Sequence, residues 1–364
     1  MRFFILPLVM LTPVTLFAEG FYVGTYTKDG STSKGIYHAQ MDPVTGAISD
    51  VELASEAANP SFLATSPDGK FVYAAMEDAV PSVGAFRVEN GGKLKSLGQL
   101  PSDGKDPCHV SVDKTGKFLF VANYTGGNVA SFALKPDGSF DKRVSLIQFT
   151  GSGPDKGRQA SPHAHGIYPT PDNRFVYVCD LGTDKIHILA FDSTTGELTE
   201  SGFGSVPGGA GPRHLAFTPD GKFVYAANEM LLTVTGFRAD AKTGALDAIE
   251  TVPVHDKRPE GYTSLAEVFV HPNGKWLYVS SRGDNTIALF SIAADGKLTR
   301  IENVPAGVKI PRGFALDASG KWLVVAGQDD NRITTLAIDT KTGKLTPVKT
   351  EVTVGKPVSI LFEK

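Results

Sequence analysis

Cysteine is scarce: the 364 residues contain two, Cys108 and Cys179. A small scaffold stapled by disulfides is therefore excluded. No CxxC pair or Cys/His cluster offers zinc-ligand spacing. Two buried free thiols are expected, because cysteine is among the most buried residue types; a bridge between the two is the lesser alternative. A surplus of positive charge is also missing, since 36 Lys and Arg face 39 Asp and Glu for a net charge of -3. That excludes a chain-wide nucleic-acid footprint, and no local run of Lys and Arg supplies one. Walker loops, dinucleotide fingerprints and GxSxG elbows are absent, so those nucleotide and serine-hydrolase chemistries have no support. Hydrophobic residues make up 41% and charged residues 21%, which is ordinary globular composition and argues against disorder.

Long apolar runs are confined to the beginning. Arg2 gives a short positive start, Phe3 to Phe17 is uncharged and mostly apolar, and Glu19 is the first acid. This pattern reads as a secretory signal peptide over residues 1–18, followed by one domain over 19–364. Pro7 and Pro13 disfavour a spanning helix, and the run falls short of the ~20 residues a bilayer requires. Leu16 is large for a cleavage site, which keeps an uncleaved anchor as the alternative. A periplasmic protein with no membrane span after processing is expected.

What is abundant is glycine and proline, 39 and 23 residues, the mark of many turns between short strands. One hairpin pattern recurs six times: SPDGKFVYAAME, DKTGKFLFVANY, TPDNRFVYVCDL, TPDGKFVYAANE, HPNGKWLYVSSR and DASGKWLVVAGQ. Its turn residues are Gly69, Gly116, Asn173, Gly221, Gly274 and Gly320, spaced by 47, 57, 48, 53 and 46. Gly and Asn tolerate the positive φ such turns need. Short strands opened by Pro60, Pro107, Pro212 and Pro311 precede the hairpins, and two more strands follow, often joined by a TGxL turn. Four strands per repeat of about fifty residues is the signature of a propeller blade. The C-terminal KPVSILF resembles a first strand without a second, and the N-terminal FYVGTYT a second without a first. Pairing them completes a seventh blade and removes the open edges of the ring. The fold class is thus all-β, a seven-bladed β-propeller. A ring closed on itself needs no second copy, so a monomer is expected.

The start of each first strand and the end of each second lie at one mouth of the central channel, because the two run antiparallel. The first set contains Phe62, His109, His165, Arg213 with His214, Glu267, Arg312 and Ser359. The second contains Tyr26, Glu77, Asn123 with Tyr124, Asp180, Asn228 with Glu229, Arg282 and Gln328. This mixture suits a polar, hydroxyl-rich small molecule. His165, Arg213 and Glu229 come from consecutive blades and can act together on a carbonyl: Arg213 stabilising the oxyanion, His165 or Glu229 activating water. The competing readings are a rim ion pair between Arg213 and Glu229, structural roles for His109 and His214, and a cation site built from Glu77, Asp180, Glu229 and Glu267. Arginine among those acids disfavours a cation.

DPCHVSVDKTGKFLFVANYTGGNV, SPHAHGIYPTPDNRFVYVCDLGTDKI, GPRHLAFTPDGKFVYAANE, EVFVHPNGKWLYVSSRGDNTIALF and PRGFALDASGKWLVVAGQDDNRI resemble, in order, the seven-bladed lactonase propellers. That family includes bacterial 6-phosphogluconolactonase and the fungal carboxymuconate-lactonizing enzyme. The resemblance implies catalysis by His165 of PHAH, Arg213 of PRH and Glu229 of NE, with Arg282 of SRG facing substrate. It implies neither metal nor cofactor. His109, Asn123, Tyr124, His163, His214, Glu267, Arg282, Arg312 and Gln328 are the candidate substrate-binding residues. The leader points to an unphosphorylated sugar lactone, glucono-1,5-lactone, as the small-molecule partner. The alternatives are a phosphorylated lactone and a non-catalytic periplasmic platform, since fold does not dictate function.

Overall fold

A computed structural model describes residues 18–364. The expected leader lies, but for its last residue, outside the described residues. The described chain forms seven four-stranded antiparallel sheets. Six are continuous in sequence, and we number them blades 2 to 7, over residues 60–101, 107–148, 164–205, 212–253, 264–305 and 311–353. Blade 1 is assembled from both ends of the chain. Pro357–Phe362 is its first strand, pairing with Glu19–Thr25, and Gly35–Met41 and Ile48–Glu56 follow outward. In every blade the first strand is innermost, and the seven first strands pack side by side around the channel.

The repeat fixes both the turns and the packing. Each of the six hairpin turns has its expected residue at positive φ, 69° to 71° for the five glycines and 62° for Asn173. The apolar residues of neighbouring blades merge into buried clusters, as where Tyr225 and Val234 of blade 5 meet Leu277 and Phe290 of blade 6. The tyrosine that recurs in the FVY and WLY hairpins does more than fill volume. Tyr73, Tyr177, Tyr225 and Tyr278 donate their hydroxyls to the carbonyls of Gly138, Gly244, Gly296 and Gly343 at 2.8 to 3.0 Å. Each acceptor is the turn glycine before the fourth strand of the next blade, so the two repeated motifs lock successive blades together. At the closure, Trp322 of blade 7 donates its indole N–H to Pro43 of blade 1 at 3.0 Å.

All seven first strands carry a bulge near their start. Ser61, Cys108, Arg213, Arg312 and Val358 are single extra residues in the register of blades 2, 3, 5, 7 and 1. In blades 4 and 6 two residues, His165 with Gly166 and Ala266 with Glu267, oppose one. A bulge bends its strand and re-aims a side chain. Here it acts seven times at the same height of the channel. Among the described residues no helix is long and apolar enough to cross a membrane.

If the tyrosine ties hold the blades together, replacing all four tyrosines by phenylalanine should lower the unfolding free energy by about 1 kcal/mol per bond. Denaturant titration measures this. A quadruple variant as stable as the parent protein would contradict the ties.

Candidate active site

The bulges bring the candidate residues to one place. Ser61, Cys108, Arg213, Arg312 and Val358 line a single small cavity together with Glu267. Gly166 allows the inner strands of blades 4 and 5 to meet, since a Cβ there would lie 2.7 Å from the Arg213 carbonyl oxygen. The Arg213 guanidinium is close enough for its charge to act on the His165 imidazole. The imidazoles of His165 and His214 pack edge-on with centroids 5.0 Å apart. A larger groove of about 610 Å³ lies between blades 5 and 6, at the hairpin turn of Gly274. It sits at the opposite end of the strands from this cluster, so size alone does not mark the site.

Glu229 is the electrostatic hub. Arg158 donates to its Oε1 at 2.7 Å, Arg282 donates to Oε2 at 2.8 Å, and Arg213 Nε lies 3.3 Å from Oε2. Burial alone would raise this carboxyl, but Arg282, Arg213 and Arg158 overcome it and hold it at about 2. Glu229 is thus a fixed anion at neutral pH. Arg213 is further held by the Ala266 carbonyl at 2.7 Å, and Arg282 by that of Leu265 at 2.9 Å. Burial, with Arg282 and Arg312 nearby, draws the Arg213 guanidinium down to about 10, which leaves it cationic at pH 7.

Behind Arg213 lies a second buried pair. A 2.8 Å hydrogen bond joins His214 Nδ1 to Glu267 Oε1, which also accepts the Val268 N–H at 3.0 Å. Burial pushes Glu267 up to about 8 against the pull of Arg213. His214 Nε2 sits 3.3 Å from Arg213 Nη1. His165 is neutral: burial, then Arg213, His214 and Arg312, keep it well below the usual imidazole range. Its Nδ1 is buried with no hydrogen-bond partner among the described residues. A neutral imidazole with a free ring nitrogen beside a guanidinium is equipped to take a proton while the cation stabilises an anion. Cys108 is no nucleophile, because burial pushes its thiol up. Both cysteines are free and buried.

The remaining candidates divide. Tyr124 receives an Arg158 N–H on its hydroxyl at 3.2 Å and stacks on His163, whose Nδ1 lies 3.1 Å from the Tyr124 carbonyl oxygen. Arg312 reaches over the Tyr26 ring, and the Tyr26 hydroxyl donates to Glu77 at 2.9 Å. Three expectations need correction. Asn123 is fully buried and donates to the Ser102 carbonyl, in the connection before its blade, and to Asn128 of its own blade. His109 is packed in the channel wall between Phe62 and Tyr168, with Nδ1 accepting the Ile167 N–H. Gln328 sits over the start of its first strand but donates its amide to the neighbouring Asp329, at an exposed position. The four acids weighed as cation ligands are engaged separately. Asp180 bonds His187 and Thr183, Glu77 bonds Tyr26, Glu267 bonds His214, and Glu229 holds arginines. Among the described residues no three His, Cys, Asp or Glu side chains gather as a ligand set.

Arg158 was not foreseen. It lies outside the repeat, in the segment between blades 3 and 4. The one signal was the spacing of 57 between Gly116 and Asn173, which exceeds every other repeat spacing.

The raised pKa of Glu267 has a testable sign. The folded state binds that proton more tightly than the unfolded chain, so this contribution to stability is full below the unfolded value and disappears as pH rises through about 8. Glu267→Gln should therefore gain in melting temperature relative to the parent protein between pH 5 and pH 9. A difference that stays constant with pH would contradict a protonated Glu267.

Comparison with known proteins agrees with this architecture. A family profile described as Lactonase, 7-bladed beta-propeller, matches residues 20–362. A 6-phosphogluconolactonase of Bacillus subtilis is 35% identical over 94% of this chain and 97% of its own length. The crystal structure of a putative 6-phosphogluconolactonase from Bacteroides fragilis superposes with a TM-score of 0.87 at 36% identity, covering 97% of this chain and 100% of that one. The structure of a Pseudomonas aeruginosa periplasmic gluconolactonase gives 0.88 at 27% identity, over 96% and 99%. With the ring, its closure and the polar mouth in place, the chain belongs to the seven-bladed β-propeller lactonase family.

Proposed function

We propose that this lactonase hydrolyses glucono-1,5-lactone to gluconate in the periplasm, without a metal ion. The observation that carries the chemistry is the unpartnered Nδ1 of neutral His165 in the same buried cluster as Arg213. Water attacks the lactone carbonyl carbon as His165 Nδ1 takes its proton. Arg213, braced by Ala266 and facing Glu229, holds the oxyanion; one well-placed donor of this kind contributes roughly 10²–10³ in rate. The tetrahedral intermediate collapses by breaking the bond to the ring oxygen, which takes the proton back from His165. Glu229 keeps Arg213 and Arg282 in place as an anion rather than acting as the base. The leader-like first eighteen residues support the periplasm and hence an unphosphorylated sugar. The similarity to a periplasmic gluconolactonase runs in the same direction.

A phosphorylated lactone is the second reading. The names of the Bacillus subtilis and Bacteroides fragilis relatives favour it. So does the gathering of Arg158, Arg213 and Arg282 on one carboxylate.

The test is titration of released acid at constant pH with each lactone, subtracting spontaneous opening. The protein should accelerate glucono-1,5-lactone hydrolysis with or without chelator. His165→Ala and Glu229→Gln should each lower turnover at least tenfold with circular dichroism unchanged. Full activity in both variants would end the assignment, and preference for the phosphorylated lactone would select the second reading.

A further inference from the structure

Arg158 differs from the other arginines of the cluster in how it is held. Arg213 and Arg282 rise from strands, are nearly inaccessible, and donate to backbone carbonyls as well as facing Glu229. The Arg158 side chain is 42% exposed, and its partners are two side chains, Glu229 and Tyr124. Its backbone, by contrast, is well anchored. Asp155 Oδ1 accepts the Gly157 and Arg158 N–H groups at 2.9 and 3.1 Å. The next residue, Gln159, is fully buried and donates to the Leu181 carbonyl and to Asp184, both at 2.8 Å. A fixed base with an exposed arm lets the guanidinium leave without moving the loop.

The division of the carboxylate gives that departure a consequence. Oε2 of Glu229 is shared by Arg282 and Arg213, whereas Oε1 is bonded to Arg158 alone among the described residues. Removing Arg158 would free one oxygen toward the mouth and leave the two strand-borne arginines in place. An oxyanion on a bound sugar acid offers Arg158 an alternative partner of the same strength, since guanidinium pairs carboxylate and phosphate in the same planar geometry.

We propose that Arg158 is a specificity-determining residue, a detachable counter-ion of Glu229 that transfers to an anionic group on the bound sugar. The ligand class is a sugar acid, with its oxyanion supplied either by the product carboxylate or by a phosphate. A neutral sugar leaves Arg158 on Glu229. This rests on the lactonase reading for its choice of ligands, but its test requires no turnover.

The test is calorimetric binding of gluconate, 6-phosphogluconate and the neutral 1,5-anhydroglucitol to the parent protein, R158Q and R158K. In R158Q the affinity of an acid relative to the neutral sugar should fall at least tenfold, and in R158K at most threefold. A fall for both acids identifies the carboxylate as the partner, and a fall for 6-phosphogluconate alone identifies the phosphate. Unchanged ratios in R158Q, or equal losses for all three ligands, would overturn the proposal. If catalysis fails while the ratios behave as expected, the hydrolytic reading falls and the role of Arg158 stands.

Discussion

A regular strand sends alternate side chains to opposite faces, so the wall of a channel built from regular strands would present a fixed half of its residues to the axis. One extra residue breaks the alternation and lets neighbouring positions share a direction. The seven bulges near the starts of the inner strands do this at one level of the propeller. Arg213 and His214, adjacent in sequence, consequently line the same cavity. The same distortion in blades 4 and 6 delivers His165 and Glu267. Chemistry that no single blade carries is assembled because each contributes its bulge to a common axis.

Gathering guanidinium groups in a buried space is electrostatically costly, and the site offsets this with few anions. Glu229 serves three arginines at once. Tyr26 and Glu77 flank Arg312. Glu267, although close, is held protonated by its burial and adds little negative charge near neutral pH. The cluster is therefore left cationic, which suits a reaction in which negative charge develops on a carbonyl oxygen and an acid is released. It also shows why Glu229 is better suited to fixing arginines than to abstracting protons.

The propeller was legible because its turns demand particular residues. Glycine or asparagine at positive φ, repeated at near-constant spacing, left little freedom in the blade architecture. The closing blade was readable from its two incomplete halves. The site was legible to the level of strand ends and no further. Asn123, Asp180 and Asn228 end the second strands of their blades, and all three turn toward their own third strand, bonding Asn128, His187, and Thr233 with Thr235. The next residue in each case sits over the start of the first strand, and there Tyr124 and Glu229 reach the cluster. Treating the two positions as equivalent placed Asn123 in the site wrongly. Arg282 escapes the rule through the length of its arm, since it shares the register of Asn228 yet reaches Glu229. Arg158 was invisible because no repeat constrains the segment that carries it.

The central claim is that the bulge-bearing end of the channel receives the lactone. A crystal structure of the protein with gluconate bound addresses it most directly. The account expects the carboxylate of gluconate within hydrogen-bonding distance of Arg213 and His165, with the polyol chain among Tyr124, Arg282 and Arg312. Gluconate bound at the hairpin-turn end of the ring or on the outer strands, with the Arg213 cluster unengaged, would contradict it.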